Sequence, residues 1–102
     1  MTRGETGSKV RPAVIISRST RPGNDVILAF ISSVPPQTLL KTDLLIEPSH
    51  PEFPGTGLKI ASVIKCDKLA TVERRILLGE IGRLPSVLIR ELNQRLRHAL
   101  EL

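Results

Sequence analysis

The sequence predicts one mainly β domain over residues 1–102, a small antiparallel barrel or curled sheet with a C-terminal helix. Three observations lead to this fold class. Short aliphatic and β-branched runs alternate with turn-forming segments along most of the chain. Hydrophobic residues make up 40% of the composition and aromatic residues only 2%, so aliphatic side chains must fill the core. Only the last segment has helical periodicity, and 102 residues are the length of a single domain.

The first third of the chain predicts a loop followed by a β-hairpin. Residues 1–9 are polar and contain two glycines, which indicates a loop or a loose terminus. The run Val10–Ser17 is short and β-branched, with Pro12 near its start, where a strand tolerates a missing N–H. The segment Arg21–Asp25 has the proline, glycine and asparagine of a turn, and an apolar run of strand length follows it to Ser32.

Prolines divide the middle of the chain. Pro35 and Pro36 must end the second strand, because neither can donate to a ladder. Residues 42–47 are short and apolar enough for a third strand. Residues 48–55 contain three prolines, from which we predict a loop and exclude a helix.

The last part of the chain predicts two more strands and the helix. Residues 58–66 begin with alternating polarity and end apolar, which is typical of a strand. A turn is predicted at Asp67 and Lys68, and a fifth strand at residues 75–81. Leucines recur at spacings of three and four over residues 84–101, so an amphipathic helix is predicted there, with Pro85 acceptable in its first turn.

Charge and composition exclude several classes of protein. The formal net charge is +5, with basic ends and an acidic middle, which suits a polyanionic partner or a basic surface. One cysteine cannot form an intramolecular disulfide, and two distant histidines do not make a zinc site. No apolar run is long enough to span a membrane. We therefore expect a cytoplasmic protein with no membrane association, no metal and no cofactor.

The common enzyme signatures are absent, and the strand ends supply the candidate chemistry. Arg11 begins one predicted strand and Ser32 ends the next. Because these strands are predicted to form an antiparallel hairpin, Arg11 and Ser32 should be neighbours. A guanidinium beside a hydroxyl can bind a phosphate, although arginines and serines at strand ends are commonly just solvated.

The sequence resembles a known family from this hairpin onward. Residues 9–17, KVRPAVIIS, are similar to the Lys-x-Arg-Pro-Ala-Val-Val-Ile-Ser element of the MazF/PemK/Kid toxins, the mRNA interferases of type II toxin–antitoxin systems. The likeness continues in order through residues 25–33, 56–69 and 78–82, and covers about residues 4–100.

The resemblance implies both fold and function. It implies an SH3-like antiparallel barrel of the CcdB/MazF type that forms a homodimer and cleaves single-stranded mRNA sequence-specifically without a metal. The implied products carry 2′,3′-cyclic phosphate and 5′-hydroxyl ends. A cognate antitoxin protein would neutralise the toxin, and promoter DNA would be bound only through the antitoxin complex.

The family's functional residues fall on particular positions of this sequence. The catalytic arginine falls on Arg11, and the catalytic hydroxyl, usually a threonine, falls on Ser32. Strand ends and nearby basic positions are expected to bind RNA, namely Lys9, Ser33, Lys65 and Lys68.

The chain departs from the family pattern at one place. Family members begin with a strand of the Gly-Asp-Ile-Val type, which is missing ahead of residues 1–9. Two alternatives to an endoribonuclease therefore stay open. One is a non-catalytic CcdB-like toxin that acts by binding, and the other is an inactive truncated relative that still binds antitoxin.

Overall fold

The structure is a computed structural model that describes residues 2–6, 9–18, 20–34 and 36–102, with side chains described from residue 10 onward. Its elements are β1 (Thr2–Thr6), β2 (Lys9–Ile15), β3 (Asp25–Ser32), β4 (Asp43–Ile46), α1 (Phe53–Thr56), β5 (Ser62–Glu73), β6 (Leu77–Glu80) and α2 (Ser86–Leu100). A 3-10 turn at Arg74–Ile76 joins β5 to β6.

The six strands form one antiparallel sheet in the order β4-β5-β3-β2-β1-β6. This confirms the prediction of a mainly antiparallel fold with a C-terminal helix. Among the described strands the order ends at β4 and β6, so the sheet does not close into a barrel. Neither helix in the described part of the chain is long and apolar enough to cross a membrane.

The core lies between the sheet and α2. Leu88 and Leu92 are the buried residues of this helix, as its leucine spacing predicts. They pack with side chains of β2, β3, β4, β5 and the β4–β5 connection, namely Val14, Ala29, Ile31, Leu44, Ile46, Phe53, Leu58, Ile64 and Cys66. The core is therefore almost entirely aliphatic, as the composition requires.

The prediction of a loop over residues 1–9 is wrong for residues 2–6 and 9, while Met1, Gly7 and Ser8 lie outside the described residues. β1 pairs with β2 from Thr2 opposite Ala13 to Thr6 opposite Lys9, and its other edge pairs with β6. Ladder bonds on both sides hold this polar segment in the sheet, so it needs no apolar pattern of its own. The position beside β2 is thus occupied by a strand formed from residues that the sequence predicts as a loop.

The turn predicted at Asp67 and Lys68 is also wrong, because β5 continues through it. Lys65 pairs with Phe30 and Leu69 pairs with the adjacent Ala29, so residues 66–68 form a bulge. β5 therefore begins at Ser62 rather than at residue 58 and runs on to Glu73. Near its start, Val63, Ile64 and Lys65 pair with both β3 and β4.

The exclusion of helix over residues 48–55 is wrong for one short turn, α1. Pro54 lies in the first turn of α1, where no intrahelical N–H bond is required. Thr56 stabilises the turn by donating from Oγ1 to the Phe53 carbonyl over 2.7 Å. Gly57 ends the turn at φ +76, and a Cβ there would lie 1.9 Å from the Ile81 carbonyl oxygen.

Candidate active site

The site lies where β2 and β3 separate, and Pro12 is the cause of that separation. The N–H of Ile16 donates to the carbonyl oxygen of Ile27 on β3 over 2.9 Å. Because every second backbone nitrogen of a strand faces the same neighbour, the nitrogens of residues 14 and 12 also face β3. Pro12 has no N–H to donate. The pairing of β2 with β3 accordingly ends at Ala13 opposite Phe30, one residue short of Pro12.

A cavity of about 440 Å³ opens at this separation and is called here the Arg11 cavity. Its lining comes from the start of β2 and from the end of β3 with the residues after it, namely Val10, Arg11, Pro12, Ile31, Ser33 and Val34. Arg11 is exposed, so its guanidinium is available to an anionic ligand. The structure thus brings Arg11 to the end of β3, as the predicted hairpin requires.

Ser33 lines the Arg11 cavity, whereas Ser32 lines a second pocket next to it. Counting two residues beyond the last pair, Ala13 with Phe30, brings Arg11 level with Ser32 across the opening between the two strands. Ser32 is half-buried, and its Oγ accepts the N–H of Val34 over 3.1 Å. The Ser32 hydroxyl keeps its own proton as a donor, since this bond uses only an oxygen lone pair.

The three lysines predicted to bind RNA are dispersed. Lys9 begins β2, and its side chain lies outside the described residues. Lys68 is exposed in the β5 bulge. Lys65 is mostly buried, and its Nζ lies 3.4 Å from Oδ1 of Asp43. Neither Lys65 nor Lys68 lines the Arg11 cavity, so an RNA role for them stays a prediction.

Asp43 is a buried acid that sequence reasoning missed. Its side chain is fully buried, and besides the ion pair with Lys65 its Oδ2 accepts the N–H of Leu40 over 2.9 Å. Its own N–H donates to the Leu40 carbonyl over 3.0 Å. Arg95 of α2 donates from Nε to the Asp43 carbonyl over 3.5 Å. Asp43 therefore fixes the end of the loop that connects β3 to β4.

Cys66, the single cysteine, lies in the core and not in the site. Burial raises the pKa of its thiol to about 11, an effect opposed by Arg95 and reinforced by the carboxylates of Asp43 and Asp67. At neutral pH the sulfur is a protonated, inaccessible thiol and not a nucleophile. Within the described part of the chain, no group of three or more His, Cys, Asp or Glu side chains could hold a metal ion.

Comparisons with solved structures show which fold this chain shares. An endoribonuclease in complex with its cognate antitoxin, from mycobacterial species, has a TM-score of 0.81 at 20% identity, covering 99% of this chain and 90% of that chain. The Mycobacterium tuberculosis toxin MazF-mt6 has a TM-score of 0.81 at 23% identity, covering 99% of this chain and 95% of that chain. No curated protein matches the sequence significantly.

The family follows from the sequence itself. The family model for PemK-like, MazF-like toxins of type II toxin–antitoxin systems matches residues 1–100. The chain belongs to this family, as the resemblance of the first hairpin predicts. A further solved structure, described as an Mtb toxin, has a TM-score of 0.75 at 24% identity and covers 95% of this chain and 98% of that chain.

Proposed function

We propose that this chain is the toxin of a type II toxin–antitoxin system and a sequence-specific, metal-independent endoribonuclease of single-stranded mRNA. Membership of the PemK-like, MazF-like family supports the toxin role. The observation that carries the proposed activity is the Arg11 cavity, in which an exposed guanidinium and the Ser33 segment lie together at the point where β2 and β3 part.

The proposed reaction uses the RNA's own 2′-hydroxyl as the nucleophile. The 2′-oxygen forms a bond to the adjacent phosphorus, the bond from phosphorus to the 5′-oxygen breaks, and the 2′-hydroxyl proton passes to solvent. The departing 5′-oxygen takes up a proton, which leaves a 2′,3′-cyclic phosphate and a 5′-hydroxyl. Negative charge on the phosphate oxygens increases in the transition state, and Arg11 donates to them there.

A serine hydroxyl is proposed as the second donor to the phosphate. Ser33 is the better placed for direct contact, because it lines the same cavity as Arg11. Ser32 stays a candidate as the sequence predicts, since it lies level with Arg11 across the opening between the two strands. Separate alanine variants distinguish the two, and the serine that donates in the transition state is the one whose loss lowers kcat more.

The proposed partners follow from the family and from the neighbouring complex. The similar endoribonuclease was solved with its cognate antitoxin, and we infer that a cognate antitoxin protein also binds this chain. We also propose that the chain forms a homodimer and is cytoplasmic. It would contact promoter DNA only through the antitoxin complex. The free, buried Cys66 is compatible with a reducing compartment.

The decisive experiment is incubation of the purified chain with a long single-stranded RNA in EDTA, followed by mapping of the product ends. Wild type is expected to cut at defined sites and to leave cyclic phosphate ends. Arg11→Ala is expected to lower kcat by about 10²-fold or more, since it removes a donor to the transition state. Arg18→Ala is the matched control, because it removes the same charge from an exposed position three residues beyond the other end of β2.

The other outcomes identify the alternatives. Cleavage by Arg11→Ala at the wild-type rate would show that the site is wrongly placed. A folded wild type that binds antitoxin and leaves RNA intact would be an inactive relative. A folded wild type that does neither would favour a CcdB-like toxin that acts on another macromolecule by binding.

A further inference from the structure

A second pocket adjoins the Arg11 cavity and is called here the Leu45 pocket. It has a volume of about 180 Å³ and shares Ser33 and Val34 with the Arg11 cavity. Its other lining residues come from the end of β3, the β3–β4 loop, β4 and the start of β5 with the residue before it, namely Ser32, Pro36, Leu39, Leu45, Ala61 and Val63. The two cavities therefore adjoin along Ser33 and Val34.

The sheet register explains why the two cavities adjoin. Val63 on β5 pairs with Ser32 on one side and with Leu45 on the other. These three residues form one row across the sheet, and Arg11 lies level with this row across the opening between β2 and β3. Neighbouring paired strands are about 4.8 Å apart, so Leu45 lies about 10 Å from Ser32 along the row. A phosphate held at Arg11 would therefore have its own nucleotide at the end of β3, beside the Leu45 pocket.

The chemistry of the Leu45 pocket suits a nucleobase. Leucine, valine and proline side chains supply apolar walls for the faces of a flat ring, and two serine hydroxyls can bond to the polar edge. The chain has no tryptophan or tyrosine on which a base could stack, so aliphatic packing must supply the contact.

The wall of the pocket is fixed before any ligand binds. Leu39 belongs to the β3–β4 loop, and the next residue, Leu40, exchanges two hydrogen bonds with Asp43. Asp43 is in turn buried and paired with Lys65. A preformed pocket avoids the ordering cost that a mobile loop would add to binding.

We propose that the Leu45 pocket binds one base of the RNA next to the phosphate held at Arg11, and so contributes to sequence selection. This inference rests on the proposed endoribonuclease function. It assigns base contact to Leu39, Leu45 and whichever of Ser32 and Ser33 does not donate to the phosphate, rather than to the dispersed lysines.

The test is an NMR titration of the full chain with the four nucleoside 3′-monophosphates and with ribose 5-phosphate as a base-free probe. At least one nucleotide is expected to shift the amide signals of Leu45 and Val63 together with those of Arg11 and Ser33. Ribose 5-phosphate is expected to shift only the Arg11 and Ser33 signals. Nucleotide shifts that match those of ribose 5-phosphate would overturn the inference.

Two leucine variants provide a matched comparison. Leu45→Ala removes a pocket wall, and the affinity for the preferred nucleotide is expected to fall about tenfold. Leu78→Ala removes an exposed leucine from β6, outside the pocket, and should bind as wild type does. Equal affinities of the two variants would refute the pocket.

The titration also separates this inference from the proposed function. Shifts at Leu45 and Val63 with no response at Arg11 would support the base pocket and count against the proposed phosphate site. Shifts confined to Arg11 and Ser33 would support the phosphate site and overturn the base pocket.

Discussion

Replacing Asp43 with alanine should lower the free energy of unfolding by about 2–4 kcal/mol. Breaking a fully buried ion pair from one side costs about 3–5 kcal/mol, because the remaining charge loses its partner. Lys65 retains 20% exposure of its side chain, so its ammonium can reach water and reduce this cost. The Leu40 N–H also loses its acceptor, which contributes about 1 kcal/mol or more.

Urea denaturation of wild type and variants measures this loss. Asp67→Ala is the control, because it removes a neighbouring carboxylate from an exposed position and should stay within about 0.5 kcal/mol of wild type. Asp43→Asn keeps an oxygen for the Leu40 N–H and should lie between the two. A double-mutant cycle with Lys65→Ala should give a coupling energy of at least about 0.5 kcal/mol.

One result would refute this reasoning. If Asp43→Ala unfolds at the same urea concentration as Asp67→Ala, the carboxylate does not stabilise the β3–β4 loop. Hydrogen exchange at the Leu40 amide provides a local check that does not depend on global stability. Its protection should fall in Asp43→Ala and stay unchanged in Asp67→Ala, since only Asp43 accepts this N–H.

Three further predictions concern stability. Gly57→Ala should cost at least about 2 kcal/mol in a denaturation experiment, because it combines a positive φ with a backbone clash, whereas Gly55→Ala has open space and should cost nothing. Leu88→Ala should lose about 2–5 kcal/mol from the core, against less than about 0.5 kcal/mol for the exposed Val87→Ala. Burial raises the pKa of the Cys66 thiol from its ordinary value of 9.0 to about 11, so the folded state favours the protonated thiol. The resulting contribution to stability is complete below pH 9. This contribution should disappear as pH rises to about 11, so urea titrations should show wild type losing stability relative to Cys66→Ala over that interval.

The sequence predicted the elements whose own residues carry a periodic signal. β3 has the predicted bounds, Asp25–Ser32, and α2 begins two residues later than predicted, at Ser86. β1 was not predicted, because its residues are polar and it is stabilised by pairing with two neighbouring strands. One signal was present, since only Gly7 and Ser8 separate the paired residues Thr6 and Lys9, and Gly-Ser is a hairpin-turn pair.

In the candidate site, too, the features that are local in sequence could be predicted, and those that depend on distant contacts could not. The hairpin of β2 and β3 is local, so the meeting of Arg11 with the end of β3 could be predicted from the chain order. Turn-forming residues at Asp67 and Lys68 were absorbed into a bulge, because pairing with β3 resumes at Leu69. The pairing of Asp43 with Lys65 joins residues far apart in sequence, and no local pattern indicates which buried charges will meet.

Pro12 also has a consequence for the kinetics of binding. The separation of β2 from β3 follows from a missing backbone N–H, and no side-chain contact has to break to produce it. Under the proposed function, RNA would therefore meet a fork that is already open, and its association would require no preceding conformational step. The association rate would then depend on diffusion and on the charge of Arg11, and RNA sequences would be discriminated by their rates of dissociation.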